Sequence, residues 1–551
     1  MSDFSSKRIL AVLLLIFAVI WFGQLDYRKL VKPDEGRYAE ISREMAVTND
    51  WITPRLNGLK YFEKPPMQYW ATAAAFKAFG EREWTARLWT ALTGFLGVLL
   101  AVFAGWQLFG RRSGLIAGLV LGSSFYYLAL GHISTLDMGV SLFLELALVG
   151  FMLAQRDQAS PQNRRNWMYV VWLAMGGAML SKGLIGPVIP GMALILYILM
   201  TRQWALLARM HWLAGFVLFA AVVVPWFVLV SHRNPEFLQF FFIHEHFQRF
   251  ATDGARRDGA IWYFAPILLL GLTPWLGWLI GSTWQARLRV VSQVFQPKWL
   301  LLIWCAFIFV FFSISKSKLP AYILPMFPAL ALLIGDHLAK QTAESLKKHA
   351  LILLVIWLTL SAVLMIVPSF LRYDSNETPR ALIEQYAIWI QVGAWFATIC
   401  FALAWWSAHR QRIDHTLMAI ALGGVLASSL FLSGHNSLAP SNSSYHLVEQ
   451  IKDKLQPNAP FFAVNTYDQT LPFYLKRTLT MVNYADELEL GQTHEPDKAI
   501  RTEAEFQRIW QQLPVAYALM TPGHYEHYAS SSLIPMRVLA RDTRRVIITK
   551  P

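Results

Sequence analysis

Long runs of apolar residues follow one another along the chain from Ile9 to Leu432. A helix needs about 20 mostly apolar residues to cross the hydrocarbon core of a membrane. Thirteen segments fit this length, beginning near Ile9, Leu88, Gly114, Gly139, Trp167, Leu184, His211, Ala260, Trp299, Pro320, Leu351, Ala387 and Thr416. The pattern predicts a polytopic α-helical membrane protein with about 13 transmembrane helices.

Basic residues are concentrated in alternate loops between these segments. They are Arg111, Arg112, Arg156, Arg164, Arg165, Arg202, Arg209, Arg287, Arg289, Lys347, Lys348, Arg410 and Arg412. The positive-inside rule assigns such loops to the cytoplasm. Thirteen spans that start inside end outside, so we expect a cytoplasmic N-terminus and a C-terminus that is periplasmic or on the equivalent side.

The first apolar run follows Lys7 and Arg8, which is also the pattern of a cleavable signal peptide. No small-x-small cleavage site follows Phe22-Gly23. We therefore interpret this run as an uncleaved first span.

The composition agrees with a membrane protein and narrows its partners. Of the 551 residues, 55% are hydrophobic and 15% are charged, against about 25% charged in ordinary soluble proteins. The net charge is +14, yet the tail from Gly434 has 12 basic and 12 acidic residues. The positive excess therefore lies in the membrane part, where it orients the chain or also attracts an anionic lipid or phosphate substrate. No basic stretch departs from this pattern, so no nucleic-acid partner is expected.

Cys305 and Cys400, the only cysteines, both lie inside apolar runs. This excludes a disulfide framework and a zinc-thiolate site. We expect both to be core residues.

The loops predict two domains. Residues 1–433 form a transmembrane catalytic domain whose largest periplasmic loops are 26–87 and 231–259, and residues 434–551 form a periplasmic soluble domain. Helical and extended patterns alternate in this tail, which indicates an α/β fold. The tail contains no Gly-rich phosphate loop or catalytic motif, so we assign it a support or substrate-access role.

Three acidic residues near the periplasmic ends of spans are candidates for catalysis. Asp34 and Glu35 follow the first span, and Asp137 precedes the fourth. The alternative is that they stabilise helix N-termini, as caps or by their charge. An isolated carboxylate such as Asp137 at membrane depth is costly without a partner or a task.

Five residues are candidates for binding a phosphorylated substrate. Lys64 is held before two prolines, and Arg249 lies between aromatic residues. Lys316 and Lys318 occur in a periplasmic loop, against the topogenic bias, and Tyr322 follows them. An ammonium or a planar guanidinium suits phosphate binding. A lysine that snorkels to the interface is the alternative for Lys64.

His244 and His246 would share one face of an extended segment and could bind a divalent metal, either zinc or magnesium or manganese, with Glu63 as a third ligand. Two histidines alone are a weak signal, and an interfacial pair with ordinary hydrogen bonds is an equal alternative. The cofactor is therefore left open, and no nucleotide is expected.

Carboxylates and cations on one face suit a membrane-anchored substrate with a phosphate leaving group. Segments Pro33–Met45, Trp51–Leu59, Tyr61–Trp70 and Ser315–Pro325 resemble the bacterial branch of the GT-C lipid-linked glycosyltransferases, most closely its aminoarabinose transferases. Asp34-Glu35 and Glu63-Lys64-Pro65 are the most specific elements, and they are shared with protein O-mannosyltransferase-like relatives.

The resemblance implies transfer of 4-amino-4-deoxy-L-arabinose from undecaprenyl phosphate to lipid A phosphates on the periplasmic side of the bacterial inner membrane. It makes Asp34 the main catalytic candidate and Asp137 the second, and it assigns the donor phosphate to Lys64 and Arg249, with Tyr322. A phosphate monoester has a second pKa near 6 and is already nucleophilic at about pH 7. The carboxylates would then hold the sugar's ammonium group instead of acting as a base.

Two alternatives remain at this stage. One is a related transferase whose acceptor is a protein Ser or Thr or a polysaccharide. The other is a transporter or flippase, but these proteins place ionisable groups near the bilayer midplane and often contain repeats. Here the candidate residues lie in loops on one side, and we find no repeat.

Overall fold

A computed structural model of the chain describes residues 7–248, 259–287, 294–370 and 377–551. The helices of the first 434 residues are α1 Lys7–Gly23, α2 Asp34–Thr48, α3 Met67–Phe79, α4 Glu83–Phe109, α5 Arg111–Ser123, α6 Phe125–Leu130, α7 Asp137–Gln155, α8 Pro161–Lys182, α9 Ile185–Thr201, α10 Ala205–Ala208, α11 Trp212–Arg233, α12 Phe264–Gly271, α13 Leu279–Ala286, α14 Pro297–Ile314, α15 Phe327–Leu338, α16 Ala343–Phe370, α17 Arg380–His409 and α18 Ile413–Gly434.

Other helical segments include a π-helix at Gln239–Gln248 and 3₁₀ turns at Leu276–Trp278 and Pro320–Met326.

Within the described ranges, eight helices are long and apolar enough to cross a membrane, or nine if one bent pair counts as a single span. In that pair the chain turns by 108° between Phe264–Gly271 and Leu276–Ala286. Two shorter apolar helices, Leu10–Gly23 and Ile185–Thr201, accompany them. A multi-pass helical membrane protein is confirmed, whereas the count of thirteen spans stays a prediction.

Small residues let two of these helices approach closely. A Cβ added to Gly105 on α4 would lie 2.6 Å from the Cα of Gly114 on α5. Such contacts replace hydrophobic attraction, which is weak between helices in lipid. The Gly105–Gly114 contact thus fixes the start of α5 against the end of α4.

The loop after α1 forms a layer of short elements. It contains α2, a hairpin of β1 Arg55–Leu56 with β2 Leu59–Lys60, and α3. Ile41, Leu56 and Tyr69 from this layer share one hydrophobic core with Phe461 and Met481 of the tail. This shared core packs the tail onto the loop that contains the candidate catalytic residues.

The tail contains a six-stranded sheet in the order β5-β4-β3-β6-β8-β7. Its strands are β3 Phe461–Val464, β4 Thr480–Val482, β5 Ala499–Ile500, β6 Tyr517–Met520, β7 Arg537–Arg541 and β8 Val546–Thr549. Its helices are α19 Ala439–Asn442, α20 Tyr445–Ile451, α21 Leu471–Leu475, α22 Glu489–His494, α23 Glu503–Gln512 and α24 Pro522–Ser530. The predicted α/β fold is confirmed.

The two faces of this sheet bury different partners because side chains alternate along a strand. Phe461 and Ala463 of β3 join the core shared with the loop layer. Phe462 and Val464 instead pack with Phe506 and Trp510 of α23. The sheet therefore lies between the loop layer and its own outer helices.

The segment that contains His244 and His246 is helical, so the prediction of an extended strand there was wrong. The π-helix Gln239–Gln248 runs through it. Phe237 and Phe241 stack with ring centroids 5.3 Å apart, and both rings contact Phe227. This aromatic packing at a spacing of four residues favours a helix.

Candidate active site

A cavity of about 300 Å³ opens where the ends of α2, α7, α8, α9 and α14 meet the turn Pro320–Met326. Its charged and hydroxyl-bearing wall includes Asp34, Arg37, Glu63, Lys64, Asp137, Lys182 and Tyr322. Its apolar wall includes Val140, Ile185, Ile189, Phe311, Phe312 and Leu319. One cavity thus combines a charged end with an apolar wall, as a phosphate linked to a lipid chain requires.

Asp34 is the first residue of α2, and its side chain is 45% exposed. The helix has Pro33 at its N-cap, and no side chain caps its amides. The Asp34 carboxylate instead accepts a hydrogen bond of 2.9 Å from Arg37 one turn later. In this geometry Asp34 therefore does not cap the helix.

Asp137, the first residue of α7, likewise makes no capping hydrogen bond. Its carboxylate forms an ion pair with Lys182, the last residue of α8. The Lys182 ammonium also lies 4.8 Å from the ring centroid of Tyr322. The isolated carboxylate therefore has a cationic partner at the cavity wall, which offsets the cost of its placement.

Lys64 lies in the turn that precedes α3, whose N-cap is Pro66. Its ammonium donates a hydrogen bond of 2.8 Å to the carbonyl oxygen of Glu63. Both residues line the cavity. The predicted Lys64 and Tyr322 therefore meet Asp34 and Asp137 in one site.

Glu35 does not line the cavity, because it is 1% exposed and bound to Arg87. The Arg87 guanidinium donates to both Glu35 oxygens, at 2.7 and 2.8 Å, and the backbone amide of Ser134 donates at 3.1 Å. Burial would raise the pKa of Glu35, but the adjacent Arg87 charge and these hydrogen bonds lower it to about 2. In this geometry Glu35 holds Arg87 beside the start of α2 and does not line the cavity, and its catalytic role stays a prediction.

Arg87 connects three segments through the same guanidinium. It also donates to the carbonyl oxygens of Leu25, Arg28 and Lys29, which follow α1. The start of α4 is thereby tied to the end of α1 and to the start of α2.

Lys316 and Lys318 are not among the residues that line this cavity. Lys318 is 8% exposed, and its ammonium donates a 2.6 Å hydrogen bond to the carbonyl oxygen of Ser315. Ser315 follows the last turn of α14, where carbonyl groups lack helical partners. The Lys318 ammonium therefore hydrogen-bonds a carbonyl group at the end of α14 and does not face the cavity in which the anion is expected. Lys316 is exposed.

The metal site suggested for Glu63, His244 and His246 stays a prediction. Glu63 lies in the cavity, whereas the exposed His244 stacks its ring on Phe240 with centroids 5.0 Å apart. Arg249 and the side chain of His246 lie outside the residues that the structure describes. Among the described residues, no group of three or more His, Cys, Asp and Glu side chains is placed to hold a metal ion.

Two cations of the site were missed from the sequence, Lys182 and Arg37. Lys182 lies in Ser181-Lys182-Gly183, at the end of α8. A basic residue on the predicted periplasmic side departs from the positive-inside rule. Arg37 lies one helical turn after Asp34 and forms a second ion pair with Glu487 of the tail. The spacing of three residues between Asp34 and Arg37 on one helix favours such a pair and could have identified Arg37 from the sequence.

This fold and cavity define an integral-membrane transferase of the GT-C type, acting on a lipid-linked substrate. Two family models match the chain: "Aminoarabinose transferase C-terminal domain" over residues 447–550 and "Dolichyl-phosphate-mannose-protein mannosyltransferase" over residues 6–241. The archaeal oligosaccharyltransferase AglB of Archaeoglobus fulgidus, 12% identical, shares the fold with a TM-score of 0.51 over 97% of this chain and 72% of its own.

Closer relatives specify the family. The undecaprenyl phosphate-alpha-4-amino-4-deoxy-L-arabinose arabinosyl transferase of Aeromonas salmonicida is 36% identical over 375 residues, 66% of this chain and 67% of its own. The crystal structure of ArnT from Cupriavidus metallidurans bound to undecaprenyl phosphate superposes with a TM-score of 0.94 at 38% identity, over 99% of this chain and 98% of that one. The chain belongs to the ArnT family of aminoarabinose transferases.

Proposed function

We propose that the protein transfers 4-amino-4-deoxy-L-arabinose from undecaprenyl phosphate to phosphate groups of lipid A. The observation that supports this most is the match to ArnT bound to undecaprenyl phosphate over almost the whole chain. The cavity agrees with it, since its apolar wall suits a polyprenyl chain and its cations suit a phosphate. Such a modification lowers the negative charge of lipid A and thereby confers resistance to polymyxin and other cationic peptides.

In the reaction, an acceptor phosphate oxygen forms a bond to C1 of the sugar while the bond from C1 to the donor phosphate breaks. Undecaprenyl phosphate leaves with the negative charge. Lys64 and Lys182 line the cavity and stabilise that developing charge. The acceptor phosphate is largely ionised at about pH 7 and needs little help from a base.

Asp34 and Asp137 therefore act on the sugar. Both carboxylates line the cavity, and each is paired with a cation of the protein. We assign them to the sugar's ammonium group, which would share or replace these partners when the donor binds. Tyr322, whose ring lies beside the Lys182 ammonium, adds a hydroxyl-bearing side chain to the cavity lining.

We place the site on the periplasmic side of the inner membrane. We place the N-terminus in the cytoplasm and the tail in the periplasm, following the charge of the loops. This orientation puts the cavity and the tail on the same side.

The test is mass spectrometry of lipid A from a host that makes the lipid-linked aminopentose but lacks its own transferase. With the protein, lipid A should gain the mass of one or two aminopentose groups. Asp34→Asn should abolish the gain, whereas Asp453→Asn, an exposed residue of the tail, should preserve it. If lipid A stays unmodified although the protein is correctly inserted, lipid A is not the acceptor. The protein would then be a transferase that acts on another acceptor.

A further inference from the structure

The tail sheet contains a topological switch point between β3 and β6. Both strands run parallel and are neighbours, and the chain leaves β3 in one direction through β4 and β5 before returning to β6. The connections after β3 and β4 bury Leu471 and Leu488 on the inner face. In contrast, α23 and α24 pack on the outer face. In open α/β sheets, ligands bind in the crevice that such a divergence leaves at the carboxyl ends of the strands.

Polar side chains from four segments meet at this edge. Glu503, which begins α23 after β5, accepts hydrogen bonds of 2.7 Å from the Asn465 amide after β3 and from the Tyr528 hydroxyl of α24. Asn483, after β4, donates a 2.7 Å hydrogen bond to the Asn465 oxygen. We call Glu503, Asn465, Asn483 and Tyr528 the tail cluster.

The composition of the tail cluster favours a hydroxyl-rich ligand. Its amides and carboxylate have both donor and acceptor capacity beyond the bonds named above, and a sugar hydroxyl uses one of each. Glu503 and Asn465 are only partly buried, and Asn483 is exposed. In dinucleotide-binding sheets an acidic residue beyond such a strand end bonds the hydroxyls of a ribose.

A loop and a series of side-chain contacts connect the tail cluster to Arg37 and Asp34 at the active-site cavity. The loop after Asn465 reaches Gln469, whose amide donates a 2.7 Å hydrogen bond to Glu487. Glu487 pairs with Arg37, which in turn bonds Asp34. Four residue steps separate the Cα atoms of Asn465 and Gln469, a reach of at most about 14 Å.

The same loop rests on the start of α2. A Cβ added to Gly36 would lie 2.7 Å from the backbone of Gln469. A saccharide that extends from the cavity along this loop would therefore arrive at the tail cluster. The donor sugar is held at Asp34, so the tail cluster is left for the acceptor.

We propose that the tail cluster binds the saccharide headgroup of the acceptor lipid while the acceptor's phosphate enters the cavity. The inference rests on the proposed function and names the tail as its acceptor-recognition site. It gives the predicted substrate-access role of the tail a definite location.

The experiment measures transfer by the full-length protein in nanodiscs with two acceptors. One is the lipid A disaccharide, and the other is an acylated monosaccharide phosphate that lacks the second sugar. Glu503→Gln and Asn483→Ala should raise the KM for the disaccharide on the order of tenfold, as expected for a lost hydrogen bond to a charged group. The KM for the monosaccharide and for the donor, and kcat with either acceptor, should stay within twofold. Asn483 is exposed, so its variant tests the site even if Glu503→Gln does not fold.

The matched control is Glu526→Gln on α24, whose carboxylate is 67% exposed and paired with Arg541. It should leave both KM values unchanged. An equal change with both acceptors, a fall in kcat alone, or no change in either variant would overturn the tail cluster as the acceptor site. The absence of any transfer to lipid A by the unaltered protein would instead overturn the proposed function.

Discussion

The ammonium of Lys182 pairs with the carboxylate of Asp137, although 45 residues separate them in the chain. The helices α7 and α8 are antiparallel neighbours, so the first residue of one lies beside the last residue of the other. Tyr322 completes the group from a third element. This pair sets the charge at one wall of the cavity before substrate binds.

We expect Lys182→Met to lower kcat about 100-fold, the usual effect of removing one group that stabilises a developing negative charge. Lys182→Arg should retain more activity because it keeps the charge. Steady-state transfer with purified protein measures both. Lys298→Met serves as a matched control, since Lys298 also pairs with a helical aspartate, Asp336, outside the cavity.

The contact between Asp137 and Lys182 also predicts that the effects of substituting them are not additive. Asp137→Asn should cost much less in the Lys182→Met background than in the unaltered protein, because each paired side chain holds the other in position. Strictly additive losses in this double-mutant cycle would show that Asp137 and Lys182 act independently.

Arg37 connects Asp34 to the tail. Glu487→Gln should lower transfer about tenfold, as expected for the loss of one hydrogen bond between charged groups. Arg37 would lose one of its two carboxylate partners, and its position beside Asp34 would change. Glu489→Gln, an exposed neighbour, should have no such effect. Arg37→Lys combined with Glu487→Gln should lose no more activity than Arg37→Lys alone, and a further large loss would contradict the connection.

Much of the membrane fold follows from local rules. Helix lengths and loop charges predict a multi-pass bundle, and residue type at span ends predicts Asp34, Lys64, Asp137 and Tyr322, which line one cavity. The prediction of the fold succeeds because the membrane restricts backbone structure. The four residues lie together because the membrane leaves charges at the ends of spans, and their roles in the reaction stay predictions.

The placement of other candidate side chains depends on tertiary contacts that no local pattern contains. Lys318 looked available for an anion but satisfies a carbonyl group at the end of α14. Glu35 has the same neighbours in sequence as Asp34, yet it points toward Arg87 and away from the cavity. Distinguishing these two adjacent carboxylates requires the position of α4, which is 52 residues away.

The Glu35–Arg87 pair makes a prediction about stability. Glu35→Gln leaves the Arg87 charge buried without its partner, which should destabilise the protein by roughly 3–5 kcal/mol. The thermal unfolding midpoint in detergent measures this loss. Glu384→Gln removes an exposed pair with Arg380 and should change the midpoint little.

The pair also has a definite pH dependence. The pKa of Glu35 is lowered to about 2 from an ordinary value of 4.5. Its contribution is therefore complete above about pH 4.5 and is lost as the pH falls toward 2. The difference in midpoint between the unaltered protein and Glu35→Gln should be constant from pH 8 to 5 and shrink below that range. A difference that persists unchanged to pH 3 would contradict this assignment.

A second buried carboxylate on α2 has the opposite dependence. Glu44 is 5% exposed, accepts a 2.8 Å hydrogen bond from the Gly58 amide, and lies one turn after the buried Glu40. Burial and then the negative charge of Glu40 raise the pKa of Glu44 from 4.5 to about 8. Burial also raises the pKa of Glu40, but Arg43 donates to Glu40 at 2.7 and 2.6 Å and favours the charged form of that neighbour.

Because the folded state holds this proton more tightly than the unfolded state, the contribution of Glu44 to stability is complete below about pH 4.5. It is lost as the pH rises toward 8, with a slope near 1.4 kcal/mol per pH unit for one proton. Glu44→Gln stays neutral, so its unfolding midpoint should fall less between pH 6 and 8.5 than that of the unaltered protein. Glu449→Gln, at an exposed carboxylate of the tail, should retain the original slope. Equal slopes for Glu44→Gln and the unaltered protein would show that Glu44 is already ionised at pH 6, and the tail would then pack against a charged α2.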